Sequence, residues 1–143
     1  MRSVDELVQL FRNKGLRMTP QRRLIFTLLA DDTSHPTADE LYRRAIEIMP
    51  DLSRMTVYST LAELVSLGEL TETETDLDRS VRYDTNVGIH HHLLCVRCRA
   101  LVDLPDEKVG VSISTTEDLG YQILRQQVTL YGYCPRCQQT PDV

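Results

Sequence analysis

Apolar residues recur at intervals of three and four along four stretches of the first half of the chain, which is the spacing of one face of an α-helix. The first stretch covers residues 3–13. The next three begin at Thr19, Thr37 and Ser53, residue types that cap a helix N-terminus. The positions predicted to face a core are Val4, Leu7, Leu10, Phe11, Leu24, Ile25, Leu28, Leu29, Leu41, Ala45, Ile48, Val57, Leu61, Leu64 and Val65.

The third and fourth predicted helices form a helix-turn-helix pattern. Glu40 stands three residues after Thr37, as in a capping box, and Pro50 ends the third helix. A short connection leads to the fourth helix, which Gly68 terminates. The fourth helix therefore turns a polar face outward, as the second helix of a DNA-binding pair does. The polar residues predicted to lie away from the core are Arg54, Thr56, Ser59 and Thr60.

The periodicity changes from about 3.6 to 2 at Glu69, which indicates strands. Alternating residues on either side of a TDLD turn predict a hairpin that ends at Asp84. A hairpin directly after a helix-turn-helix is the wing of a winged helix. The pattern predicts a winged helix-turn-helix domain over residues 1–84 and a hinge over residues 85–88.

The remaining residues, 89–143, predict a small α/β domain, so the fold class of the whole chain is α+β. Strands are predicted at 90–95, 100–104 and 121–133. A helix is predicted between residues 105 and 119, although Gly110 and the VSISTT run are poor helix formers.

Composition is typical of a globular protein, with 41% hydrophobic residues over 143 positions. We expect neither a membrane span nor a signal peptide, because no apolar run is long enough and acidic residues precede the first one. The expected compartment is the cytoplasm. The net charge of -5 lies entirely in residues 69–143, while residues 1–68 are neutral, so average charge gives no support to DNA binding.

The four cysteines of the chain form two C-x-x-C pairs, Cys95 with Cys98 and Cys134 with Cys137. Four thiolates in a tetrahedron suit Zn²⁺ and leave no open coordination position. Free buried thiols are the alternative. A thioredoxin-like redox role is disfavoured because both pairs lie among predicted strands rather than at a helix start. The pairs therefore predict a structural zinc site.

Three histidines precede the first cysteine pair. Side chains alternate along a strand, so His90 and His92 are predicted to share one face and His91 to point away. Two imidazoles on one face make half of a metal site, and Asp84 and Asp103 are the nearest carboxylates in sequence. A polar strand face without metal is the alternative.

Residues suited to DNA contact cluster in the helix-turn-helix. Arginine, threonine, tyrosine and serine side chains on the fourth helix are of the types that meet phosphates and base edges, and polar residues near the second helix are suited to the DNA backbone. The alternative is an ordinary solvated face. The candidates are Arg54, Thr56, Tyr58 and Ser59 on the fourth helix, with Arg17, Gln21 and Arg22 beside it.

Taken in order, the motifs of the chain resemble the ferric uptake regulator (Fur) superfamily over almost the whole length. The resemblance implies a cytoplasmic homodimeric repressor of a double-stranded DNA operator, with an N-terminal winged helix and a C-terminal dimerisation and metal-binding domain. No membrane partner, no small organic substrate and no enzymatic activity are implied. The motifs are RMTPQR, HPTADELY, TVYSTLAELVSLGEL, RYD, HHHLLCVRC, LVD and LYGYCPRC.

The resemblance also implies the roles of individual residues. It makes the four cysteines the structural zinc site, and it brings in His35, which by itself is expected to be a loop residue. Aspartate ligands are typical of the peroxide-sensing branch, in which bound Fe²⁺ reacts with H₂O₂ and a ligand histidine is oxidised; His35 and His90 are the candidates. The implied regulatory ligands for Fe²⁺ or Mn²⁺ are His35, Asp84, His90, His92 and Asp103.

The sequence departs from the family pattern in several places. Many relatives have a further metal site. This chain retains only His91 and Glu107 of its ligands, so we expect that site to be absent. Arg99 stands where the family usually has glycine, and residues 109–116 match the usual dimerisation helix weakly. Ser59 stands where many relatives have a larger polar or basic residue, so the operator sequence of those relatives cannot be assigned to this protein.

Three functional alternatives follow. The first is an iron, manganese or zinc uptake regulator of the same family. The second is a small metal-dependent hydrolase, which would leave the helix-turn-helix unexplained and would lack an obvious general base. The third is a dimerisation module held by zinc.

Overall fold

The computed structural model describes residues 1–75, 79–110, 119–124 and 126–139. The chain divides into two compact units, Met1–Val87 and Gly88–Val143. The first contains four helices and a two-stranded hairpin, and the second contains a three-stranded sheet.

The first unit begins with helices whose ends are fixed by local sequence. The side chains of Ser3 and Thr37 each accept a hydrogen bond from the backbone N–H three residues on. In return, the carboxylates of Glu6 and Glu40 accept one from the backbone N–H of the cap residue, so two capping boxes are present. Thr19 and Ser53 cap the other two helices. The helices are α1 Val4–Asn13, α2 Pro20–Leu29, α3 Ala38–Ile48 and α4 Arg54–Ser66.

The core of the first unit is aromatic at its centre. Phe11 and Phe26 meet edge to face, with ring centroids 4.9 Å apart, and both are fully buried. Leu7, Leu41 and Leu61 are also fully buried, which confirms the apolar faces predicted for α1, α3 and α4. Burial of these large side chains is the main stabilising contribution to the helical bundle.

The wing pairs β1 Thr71–Glu74 with β2 Val81–Asp84 in antiparallel register. The predicted hairpin is thus confirmed, although residues 76–78 of its TDLD turn lie outside the described residues. The segment before α3 also runs along β2, because Thr37 forms an antiparallel bridge with Arg82 and the Tyr83 N–H donates to the Pro36 carbonyl at 3.0 Å. This pairing fixes the chain around His35.

The second unit is built on β3 His90–Cys95, β4 Leu101–Pro105 and β5 Thr129–Gly132, in the order β4-β3-β5. β3 pairs antiparallel with β4 and parallel with β5. A 3₁₀ helix follows β4 at Asp106–Lys108, and the short helix α5 covers Pro135–Gln138. Together the two units confirm the α+β class, with a winged helix followed by a small α/β domain.

Two burial predictions in the first unit are wrong. Ile48 is 60% exposed, because it is the last residue of α3 and Met49 packs against the core instead. Thr60 is fully buried rather than on the polar face of α4. Its hydroxyl donates to the Thr56 carbonyl at 2.6 Å, which satisfies its polar group within the helix and allows burial.

One strand prediction in the second unit is wrong, and one helix prediction falls mostly outside the described residues. Among the described residues of 121–133, strand covers only β5, because the Val128 N–H donates to the His91 ring instead of the backbone of β3. The helix predicted between residues 105 and 119 is represented by the 3₁₀ helix alone in the described part of that segment, and residues 111–118 lie outside it.

Candidate metal centres

The four cysteines come together in the second unit, with their Sγ atoms all within 4.8 Å of one another. The parallel pairing of β3 with β5 explains how pairs so distant in sequence meet, because Cys95 at the end of β3 lies opposite Gly132, two residues before Cys134. The Sγ atoms of Cys98 and Cys134 are 3.8 Å apart, and all four are free thiols. Donor type and spacing are those of a tetrahedral zinc site.

The environment favours the charged form of some of these thiols. Backbone N–H groups of Cys98 and Cys134 lower the pKa of Cys95 to about 6. A backbone hydrogen bond from Cys137 lowers the pKa of Cys134. Burial and then the neighbouring thiols raise the pKa of Cys137 to about 12. A crowded cluster of this kind needs a cation to hold four thiolates at once, which a structural Zn²⁺ supplies.

A second set of donors converges on one face of β3. The Nε2 atoms of His90 and His92 are 3.1 Å apart, and their rings meet edge to face. Asp103 lies opposite His92 on β4, and its Oδ1 is 3.7 Å from each Nε2 atom. Two imidazoles and a carboxylate are a donor set that suits Fe²⁺, Mn²⁺ or Zn²⁺. The predicted sharing of one strand face by the two histidines is confirmed.

The far nitrogen of each of these rings also has a partner. His90 Nδ1 is 2.9 Å from the Gly88 carbonyl oxygen, and His92 Nδ1 is 2.9 Å from the side-chain nitrogen of Gln127. Such outer contacts orient metal-binding imidazoles. Sequence reasoning missed Gln127, since nothing in the sequence indicates that residue 127 reaches the side chain of residue 92.

His91 points to the opposite face of β3, as predicted, and is fully buried. Its Nδ1 accepts a hydrogen bond from the Val128 N–H at 3.0 Å, so its hydrogen is on Nε2, which donates to Asp106 at 2.9 Å. Both ring nitrogens are thus engaged within the protein. The carboxylate that His91 meets is Asp106 and not Glu107, the residue singled out from the sequence.

His35 and Asp84 form a pair in the first unit. The bridge between Thr37 and Arg82 sets His35 beside the end of β2, and His35 Nε2 is 3.3 Å from Asp84 Oδ2. His35 adopts a positive φ of 53°, which is costly for a residue with a side chain, and the Arg82 guanidinium donates to its carbonyl at 3.3 Å. The five residues carried over as regulatory ligands therefore fall into two groups, two in this unit and three in the other.

The residues of α4 that the sequence predicts to contact DNA differ in how accessible their side chains are. Tyr58 is 48% exposed. Arg54 is exposed, but its guanidinium is paired with Asp39 and lies over the Tyr42 ring at 4.5 Å from the centroid. Thr56 and Ser59 are partly buried, and their hydroxyls form hydrogen bonds near the start of the helix. Met55, which sequence reasoning did not select, is 77% exposed on the same helix.

The candidate DNA-contact residues near α2 also differ in exposure. Arg17 is exposed, and Gln21 is partly buried. Arg22 donates to the Arg17 carbonyl at 2.7 Å and forms an ion pair with Glu63 at 2.8 Å, so its charge is engaged in holding α2 against α4. Of the two arginines, Arg17 has the guanidinium that is more accessible to a phosphate.

In the described part of the chain, every helix is too short or too polar to cross a lipid bilayer. A winged helix followed in the chain by a small domain with a four-thiol cluster, together with a His/Asp donor set, defines a metal-binding transcriptional regulator of the winged-helix class. The chain belongs to the Ferric uptake regulator family, whose model matches residues 13–131. This family consists of regulators and not enzymes, so the hydrolase alternative is excluded.

Similar proteins of known name and structure agree with this assignment. The peroxide-responsive repressor PerR of Staphylococcus epidermidis is 31% identical over 140 residues, which covers 95% of this chain and 91% of that one. A zinc-bound manganese uptake regulator is 27% identical, with a TM-score of 0.67 over 93% of this chain and 99% of the other. The ferric uptake regulator Fur of Helicobacter pylori, 17% identical, shares the fold with a TM-score of 0.76 over 97% of this chain and 93% of the other.

Proposed function

We propose that the chain is a cytoplasmic, metal-dependent, DNA-binding repressor that responds to peroxide. The observation that carries this proposal is the convergence of His90, His92 and Asp103 on one face of β3, together with the His35–Asp84 pair. We assign these five residues to one regulatory ion. The four cysteines hold a separate structural Zn²⁺ and take no part in sensing.

The regulatory role follows from the position of the five ligands in the chain. His35 and Asp84 belong to the winged-helix unit, and the other three belong to the second unit. An ion bound by all five favours one arrangement of the two units over others. It can raise DNA affinity only to the extent that it binds that arrangement more tightly, and DNA must then raise metal affinity by the same factor.

Fe²⁺ held by these ligands would activate H₂O₂ beside a ligand imidazole. In the net reaction, H₂O₂ would oxidise a ring C–H bond of His35 or His90 by two electrons to C–OH, and the second oxygen of the peroxide would leave as water, with no net change in the iron. The oxidised ring would be a poorer ligand, so the ion and then the DNA would be released. The aspartate carboxylates of Asp84 and Asp103 support this reading, as does the similarity to a peroxide-responsive repressor.

DNA recognition is assigned to the exposed side of α4 with the residues beside it. Tyr58 and Arg54 are exposed there, and Arg17 is exposed before α2. Since Arg54 is paired with Asp39, its contribution requires exchange of a carboxylate partner for a phosphate. We assign Thr56, Ser59, Gln21 and Arg22 to positions that border and support this surface.

The partner besides DNA is a second copy of the chain. Leu93 lies between Val102 of β4 and Leu130 of β5 in the register of the sheet, so the three side chains share one face. They are 42%, 54% and 44% exposed, respectively, an apolar surface that a homodimer would cover.

The second candidate is an iron, manganese or zinc uptake regulator with the same regulatory site. It is favoured by the similarity to a manganese uptake regulator and by a donor set that accepts several divalent ions. The two functions differ in chemistry. A peroxide sensor loses DNA only in its Fe²⁺ form, whereas an uptake regulator loses DNA when the free metal concentration falls.

Gel-shift binding to DNA from the promoter region of its own gene tests the proposal. With Zn²⁺ at the cysteines, binding should require added Mn²⁺ or Fe²⁺, and H₂O₂ should abolish only the Fe²⁺-dependent binding. Peptide mass spectrometry should then find one added oxygen atom on His35 or His90. Persistence of DNA binding by the Fe²⁺ form in H₂O₂ would favour the uptake regulator, and metal-independent binding would reject both.

A further inference from the structure

An imidazole that binds a metal through Nε2 keeps its hydrogen on Nδ1, and this N–H needs an acceptor. The Gly88 carbonyl provides one for His90, at 2.9 Å. Because a carbonyl can only accept, it fixes the hydrogen on Nδ1, so that Nε2 of His90 carries the lone pair that a metal needs. The backbone alone therefore sets the tautomer of this ligand.

His92 differs from His90 because its Nδ1 meets a side chain that can either donate or accept. In the structure it is the nitrogen of the Gln127 amide that lies 2.9 Å from Nδ1 of His92, so the amide must turn for its oxygen to face the ring. A rotation of the amide by 180° exchanges its NH₂ group for its oxygen without moving the rest of the side chain. With the NH₂ group toward the ring, the hydrogen of His92 is on Nε2 and blocks metal binding. With the oxygen toward the ring, the hydrogen is on Nδ1 and Nε2 carries the lone pair.

We propose that Gln127 is a positioning residue of the regulatory site, whose amide oxygen accepts the Nδ1–H of His92 and so directs Nε2 toward the metal. This inference rests on the proposed regulatory role of the site. It assigns to Gln127 no contact with the ion. Its effect passes through the orientation and tautomer of one imidazole.

The backbone around Gln127 is held in place by both faces of β3. The His92 N–H donates to the Val128 carbonyl at 2.9 Å, and the Val128 N–H donates to Nδ1 of His91. Residue 127 thus adjoins a backbone position that is anchored to β3, and its side-chain amide reaches His92 from there. This anchoring explains why an exposed glutamine can act on a fully buried histidine.

Variants of Gln127 make the inference testable through metal affinity, measured by titration of the Zn²⁺-containing protein with Mn²⁺. Gln127→Ala should weaken Mn²⁺ binding about 10-fold, the lower end of the range for outer contacts, because water can partly replace an exposed amide. Gln127→Glu, which can only accept from Nδ1–H, should bind Mn²⁺ at least as tightly as the wild type. The matched controls are Gln126→Ala and Gln126→Glu, which change the neighbouring glutamine in the same ways.

Nitrogen-15 NMR of the histidine rings measures the tautomer of each ring, which would not change if Gln127 had only a structural role. Before metal is added to the regulatory site, His92 of Gln127→Glu should be in the Nδ1–H form, and His92 of Gln127→Ala should be a mixture of both tautomers. His90 should be in the Nδ1–H form in every variant. Zinc content at the cysteines should not change.

The outcomes separate this inference from the function on which it rests. If wild-type protein fails to bind Mn²⁺, the regulatory site itself is rejected. If the wild type binds Mn²⁺ but Gln127→Ala binds equally well, or if Gln127→Glu binds no better than Gln127→Ala, the positioning role is overturned. If Gln127→Ala fails to fold, Gln127→Glu is compared with Gln126→Glu instead. Equal Mn²⁺ affinity in these two variants, with the tautomer of His92 unchanged between them, overturns the inference.

Discussion

The Nε2 atoms of His90 and His92 face each other at 3.1 Å on one side of β3. The Nδ1 atom of His90 is held by a carbonyl, so the lone pair of its Nε2 points into this gap. Asp103 adds a carboxylate oxygen at 3.7 Å from both nitrogens. Three donors directed at one point are stabilised by a divalent cation.

Removal of one of these donors should abolish regulation and leave the fold intact. Asp103→Ala should weaken Mn²⁺ binding by more than about 100-fold, since loss of a ligand should exceed the loss of an outer contact. The measurement is Mn²⁺ titration with parallel analysis of zinc. Glu107→Ala, which removes an exposed carboxylate close by in sequence, should bind Mn²⁺ like the wild type. Equal affinities in the two variants would remove Asp103 from the site.

The cysteine cluster should behave differently. Cys98→Ser should release zinc and destabilise the second unit, because structural zinc contributes directly to folding. Elemental analysis and thermal unfolding measure both effects, and Val96→Ala in the same turn is the control. A Cys98→Ser protein that keeps its zinc and its unfolding temperature would show that the four thiols do not act as one site.

Arg99 offers a test of backbone conformation beside that cluster. Its φ is 63°, a region that costs a residue with a side chain about 1 kcal/mol. Arg99→Gly should therefore raise the free energy of unfolding by roughly 0.5 kcal/mol, after allowance for the greater freedom of glycine in the unfolded chain.

The control for Arg99 is the neighbouring arginine. Arg97 donates to the Cys137 carbonyl at 2.5 Å and lies over the Tyr133 ring, so Arg97→Gly should cost about 1–2 kcal/mol. Chemical denaturation of the zinc-containing protein measures both changes. Destabilisation of Arg99→Gly to the same degree would show that the Arg99 side chain matters more than its φ.

Acid should destabilise the first unit through Asp32. Burial acts to raise the pKa of this carboxyl, but hydrogen bonds from Ser34 and Arg44 outweigh it, and the pKa is lowered from 3.8. A lowered folded-state pKa means that the stabilisation is present above about pH 4 and is lost as pH falls through the folded value. Unfolding measured against pH should show this loss in the wild type and less of it in Asp32→Asn. Asp31→Asn changes the exposed neighbour and should retain the wild-type dependence.

Much of the first unit is predictable from sequence because its signals are local. Capping boxes at Ser3 and Thr37 fix helix starts, and the apolar stripes identify most of the core. Ile48 and Thr60 are exceptions. The exposure of Ile48 depends on what packs beside the end of α3, and the burial of Thr60 depends on a hydrogen bond within α4.

The metal centres are likewise predictable from the sequence only in part. Alternation along a strand is enough to place His90 with His92, and the C-x-x-C spacing identifies the thiol pairs. The contact of Gln127 with His92, the contact of His91 with Asp106 and the short β5 follow from strand pairing between distant segments. No local pattern carries that information.

The most direct test of the account is the affinity of the Zn²⁺-containing protein for its operator DNA, measured with and without Mn²⁺ in the wild type and in Asp84→Ala. The account predicts that Mn²⁺ raises the DNA affinity of the wild type, that bound DNA raises its Mn²⁺ affinity by the same factor, and that both effects vanish in Asp84→Ala. DNA affinity that is unchanged by Mn²⁺ in the wild type, or an equal effect of Mn²⁺ in Asp84→Ala, would contradict it.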